Sequence, residues 1–95
     1  MTSEEFIHRA KNLVANFAMA NIEKKDGKPV KEFTVYVVWS CYILGNQKAL
    51  LSTSICDGMY YEVTYNAQKD EIYFDAYKRW LNIRYPSGNE KEDAE

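Results

Sequence analysis

The side chains able to do chemistry are few, and their types limit what that chemistry could be. His8 is the only histidine, and Cys41 and Cys56 are the only thiols. A structural zinc site takes four nitrogen or sulfur ligands, which these three side chains cannot supply. The cysteines form no CxxC pair, and a small secreted domain would carry a denser framework, so both are read as free and reduced. Nucleophilic catalysis needs a nucleophile, a base and a group that orients the base. Ser40 or Ser52 beside Glu62 would be a serine with a carboxylate but no histidine. His8 falls on the polar side of a helix, and Asp70 and Glu71 fall in a turn, where carboxylates are normally just hydrated. The four glycines are isolated, so there is no phosphate-cradling loop. The expectation is a protein that is not an enzyme and uses no cofactor or metal.

Tyrosine is what the chain has in excess. Eight Tyr, four Phe and two Trp make 15% of the residues aromatic. Tyrosine offers an apolar ring with a polar tip, which suits a contact surface. Tyr36, Ser40, Tyr42, Ser52, Ser54, Tyr60 and Glu62 form the candidate set for a ligand or partner. The plainer alternative is a solvated, mixed sheet face that binds nothing. The candidate basic contacts are Lys24, Lys25 and Lys28, clustered with Lys31 in one loop, and Lys78 and Arg79, with Arg84, on an expected last helix. Binding single-stranded nucleic acid would need them to converge with exposed aromatics. Glu23 and Asp26 interrupt the lysines, and a near-neutral body gives weak counterion release, so nucleic acid is not the expected partner.

These residues must be held by elements that the spacing makes visible. Thr2 with Glu5 fits a capping box. Phe6, Ala10, Leu13, Val14 and Phe17 then form one apolar stripe at helical spacing, fading around Asn21. "EKKDGKP" reads as a loop. From Phe33 to Leu44 the period changes to two, with apolar Phe33, Val35, Val37, Trp39, Cys41 and Ile43 on one face. "GNQ" turns the chain, and Lys48–Cys56 is the second strand. A three-residue Cys56-Asp57-Gly58 loop pairs Ile55 with Met59 and puts Gly58 at its left-handed position. Met59, Tyr61, Val63 and Tyr65 then face the core, because a one-residue slip would exchange every side chain between faces. The opposite, even-numbered face would set Ser40, Ser52 and Glu62 side by side, with Tyr36, Ser54 and Tyr60 at one end and Tyr42 at the other.

"NAQKDE" makes the next turn, and Ile72–Phe74 begins a short fourth strand. Tyr77, Trp80, Leu81 and Tyr85 have the spacing of a last helix, capped by Asp75 and ended by Pro86 and Gly88. The expected fold class is α+β: a helix, a four-stranded antiparallel meander and a C-terminal helix, both helices on one sheet face.

Ninety-five residues make one domain, read here as residues 1–86. The tail 87–95 carries four acids against one lysine and is expected to be mobile. The formal charge of −2 therefore leaves a body of about +1 once the net −3 of the tail is removed. No apolar run approaches the ~20 residues of a membrane span, and no secretory segment opens the chain, so a cytoplasmic protein is expected.

The segments "VYVVW", "NQKALLST", "DGMYYEVTYN" and "DAYKRW" carry a resemblance. Over roughly residues 3–85 the chain resembles a family of small proteins encoded by phages and prophages of Gram-positive bacteria, catalogued as a domain of unknown function. The resemblance implies no catalytic residues. It implies a small protein acting in the bacterial cytoplasm, where its partner would be a host or anti-phage defence protein that it inhibits. A nucleotide-type signal, sequestered between copies of a homo-oligomer, is the alternative ligand. More than one copy is expected there because a single short chain offers little depth for a pocket of ~300 Å³.

Overall fold

The structure is a computed structural model that describes residues 1–26 and 32–88, without the side chains of 22–26. Helix α1 spans Ser3–Asp26, and four strands follow: β1 Val35–Ile43, β2 Asn46–Thr53, β3 Met59–Asn66 and β4 Glu71–Lys78. The strands form one antiparallel sheet in the order β1-β2-β3-β4, so each hairpin neighbour in sequence is a neighbour in space.

The capping box forms as the sequence predicts. Thr2 N–H donates to Glu5 Oε1 at 2.8 Å, and Glu5 N–H donates to Thr2 Oγ1 at 3.1 Å. These bonds satisfy backbone donors that a helix start leaves without partners. The apolar stripe of α1 lies on one sheet face. Phe6, Ala10, Val14 and Ala18 are buried there with Ala49 and Leu51 of β2 and Tyr61, Val63 and Tyr65 of β3. Phe17 meets Tyr61 edge-on at 5.7 Å and Phe74 at 5.4 Å between ring centroids. The smallest extent of the molecule is 18 Å, the thickness of one helix layer on one sheet. Nothing among the described residues covers the other face.

The predicted C-terminal helix does not form. The residues expected to begin it belong to β4, which pairs over its whole length with β3, from Met59↔Lys78 to Asn66↔Glu71. Ile72, Phe74 and Ala76 alternate with Tyr73, Asp75 and Tyr77, a strand pattern rich in β-formers. An eight-residue ladder outweighs a helical spacing that rests on four residues. Residues 79–87 lie outside any helix or strand, so among the described residues a single helix covers the sheet.

Two registers also differ from expectation. The β2–β3 loop is longer than three residues, and Leu51 pairs with Tyr61 where the shorter loop would have paired Ile55 with Met59. Polar side chains hold the longer loop. Met59 N–H donates to Asp57 Oδ1, Ile55 N–H to Thr53 Oγ1, and Thr34 N–H to Ser54 Oγ. Gly58 still takes a positive φ of 73°, a conformation open to glycine at little cost. Because the change is two residues, the facing of β3 is as predicted.

The second difference reverses part of a face. Tyr36 pairs with Ser52 and Val37 with Leu51, but Trp39 pairs with Leu50 and Ser40 with Ala49, so a bulge falls at Val38. The extra residue changes the parity of everything after it. Trp39, Cys41 and Ile43, expected in the core, turn away from α1 and are exposed. Ser40 and Tyr42 turn toward the helix side instead.

Candidate functional site

The face turned away from α1 is the candidate site. Its middle row crosses all four strands as Trp39, Leu50, Glu62 and Asp75. The next row is Cys41, Lys48, Thr64 and Tyr73. On the other side of the middle row, Tyr36 stands beside Ser52, and Tyr60 beside Tyr77. Tyr36, Trp39, Tyr73 and Tyr77 are all exposed, between 43% and 51% of their surface. Period-two alternation places them: each strand sends every second side chain to this face, so Tyr36 and Trp39 stand on the β1 edge and Tyr73 and Tyr77 on the β4 edge.

Carboxylates fix the polar tips. Tyr77 hydroxyl donates to Glu62 Oε1 at 3.3 Å, and Lys48 Nζ lies 3.3 Å from Glu62 Oε2. Tyr73 hydroxyl donates to Glu71. Asp75, and then Glu62, hold the Tyr77 phenol above its ordinary pKa, because a phenolate beside those charges is disfavoured. The hydrogen bond to Glu71 does the same for Tyr73. Both rings therefore stay neutral hydrogen-bond donors at physiological pH.

A cleft of about 350 Å³ opens at the loop end of this face. Tyr36, Ser52, Ser54, Tyr60 and Arg79 line it, together with Ile55, Cys56 and Gly58 of the β2–β3 loop. Ser52 is buried there and its hydroxyl donates to the Met59 carbonyl at 2.9 Å. Arg79 is placed by its own backbone, whose N–H donates to the Gly58 carbonyl at 2.7 Å. Two phenol rings, hydroxyls and a guanidinium could hold a flat anionic molecule, the rings by stacking and the guanidinium by its forked donors.

The structure thus brings together five of the residues expected from sequence: Tyr36, Ser52, Ser54, Tyr60 and Arg79. Glu62 shares their face but sits in the middle row, tied to Lys48 and Tyr77. Ser40 and Tyr42 are separated from them by the Val38 bulge and border a shallow hollow beside Ser3, Phe6 and Ile7 of α1. Lys78 pairs with Met59 on the helix side, away from Arg79. The side chains of Lys24 and Lys25, and all of Lys28, lie outside the described residues. Trp39, Tyr73 and Tyr77 are the members that sequence reasoning missed. The alternation of "EIYFDAYK" could have placed the last two, whereas nothing in "VYVVWS" marks which residue is the extra one.

Among the described residues, no helix is long and apolar enough to cross a membrane. No curated protein and no solved structure matches the chain. The pattern of one family does match, over residues 7–87, which includes every strand and nearly all of α1. The chain belongs to the family of unknown function DUF6275.

Proposed function

We propose that this protein acts by binding, not by catalysis: its open sheet face docks on a protein of the bacterial cytoplasm and antagonises it. The observation that carries the reading is the uncovered face itself. Tyr36, Trp39, Tyr73 and Tyr77 are exposed on it together. Tyr and Trp are enriched at interfaces and supply most of the binding energy there. Tyr73 and Tyr77, tied to Glu71 and Glu62, lose little freedom on binding, which favours affinity. The resemblance to phage-encoded proteins supports a host or anti-phage defence component as the partner, with inhibition as the outcome.

The test is capture from bacterial lysate with the native protein and with Trp39→Ala/Tyr77→Ala, their folds compared by circular dichroism. A partner retained by the native chain and lost by the folded double variant is the expected result. Recovery of no specific partner, or of the same partner by both, refutes the reading.

A second reading has its own observation, the cleft between Tyr36 and Tyr60 with Arg79 at its mouth. In this reading the protein sequesters a nucleotide-type signal. Native mass spectrometry after incubation with bacterial small-molecule extract should then show a bound species that Arg79→Ala loses. Only empty protein would refute it.

A further inference from the structure

The two edges of the sheet differ. The β1 edge carries the Val38 bulge, a feature that discourages pairing with another chain. The β4 edge has no bulge, no register shift against β3 and no proline before Pro86. A strand's backbone groups point alternately to its two sides. Arg79 N–H bonds Gly58 on the β3 side, so the even residues from Ile72 to Lys78 aim their N–H and C=O groups at the free edge. Beyond Lys78 the chain outruns β3 and exposes a series of apolar side chains. Trp80 is 95% exposed, and Leu81, Ile83 and Tyr85 are exposed as well.

Charge divides along the same stretch. Its first part carries Glu71 and Asp75, and its second part Lys78, Arg79 and Arg84. An antiparallel copy would bring the acidic part of one chain beside the basic part of the other. We infer that β4 and the segment 79–85 pair with the same stretch of a second copy about a two-fold axis at Tyr77. This register sets Asp75 opposite Arg79 of the other copy. It also sets Phe74 opposite Trp80 and Tyr73 opposite Leu81, and covers the exposed apolar series. The even residues become the hydrogen-bonded pairs, as their free backbone groups require. A centre at Lys78 would set two lysines against each other, and a centre at Ala76 would set Tyr73 opposite Arg79 and leave Asp75 without a cation. The partner is therefore a second copy of this chain, and the two sheets join into one of eight strands.

This pairing does not require a protein docked on the open face, though it engages Arg79, which also lines the cleft. Light scattering on the eluting full-length chain should give about 22 kDa, twice its 11.1 kDa. Asp75→Arg puts like charges at the Arg79 position and should give monomer, while the swap Asp75→Arg/Arg79→Asp should give dimer again. Trp80→Ala, at a side chain exposed in the single copy, should weaken the dimer about tenfold or more. A native chain that elutes as a monomer overturns the inference. A dimer indifferent to Asp75→Arg, or a swap that does not restore it, does so equally.

Discussion

Tyr60 and Tyr61 are neighbours in the chain and belong to opposite sides of the molecule. Tyr61 is 1% exposed, stacked on Phe74 at 5.8 Å and met edge-on by Phe17. Tyr60 is half-buried and walls the cleft. The pleat of β3 puts one ring in the core and leaves the other on the open face. The same division holds across the sheet. On the helix side the apolar groups have found one another, whereas on the open side the rings stand among carboxylates and a lysine without a covering layer.

The sharpest way to break this comparison is to delete the buried ring. Tyr61→Ala should cost about 3–5 kcal/mol of stability, the range for large core aromatics, as read from denaturant unfolding. Alkali should act on the same residue. Burial, with a contribution from Asp57, holds the Tyr61 phenol above its ordinary pKa, so the fold favours the protonated form. Stability from this source is complete below about pH 10, the value for an unfolded tyrosine, and falls as pH rises through the raised folded value. Denaturant midpoints measured between about pH 9 and pH 11 should decline, and Tyr61→Phe should flatten that decline. Tyr73 and Tyr77, raised by their carboxylates, add to the slope in the same direction.

A smaller effect is expected at the start of α1. Thr2→Ala removes one half of the capping box and should cost about 1 kcal/mol in the same unfolding assay. Smallest of all is Tyr60→Ala, which should change stability by no more than about 0.5 kcal/mol, as at other positions outside the core. Its consequence belongs to binding at the cleft. Equal destabilisation by Tyr60→Ala and Tyr61→Ala would mean that the two faces are not distinct.

What the sequence made legible was local. Thr2 and Glu5 lie within one helical turn, so their cap needs nothing else to form. Gly58 takes its expected positive φ, but in a longer loop than the three-residue one the sequence suggested. The facing of Met59, Tyr61, Val63 and Tyr65 is as expected because the register differs by an even number of residues. What escaped was decided by neighbours. Val37, Val38 and Trp39 are all apolar, so an added residue leaves no mark on the pattern, and only the pairing with Leu50 and Leu51 reveals it. Tyr77 and Trp80 have a spacing that a helix accepts, but β3 offered a complete ladder to the first of them. The candidate site inherited both difficulties. Tyr36, Ser54 and Tyr60 were expected near one end of the face, but the cleft they line in a single chain was not, and the placing of Ser40, Tyr42 and Trp39 depended on a bulge that composition does not announce.

The bulge also sets how this fold can change over generations. A chain one residue shorter at Val38 would keep its helix, its turns and every pair of the β1–β2 ladder, Val37 with Leu51 and Trp39 with Leu50. Ser40 and Tyr42 would still face α1, and Trp39, Cys41 and Ile43 would still face away. Two relatives that differ there by a single deletion would share both fold and surface, whereas the same deletion in a strand with no spare residue would exchange its two faces.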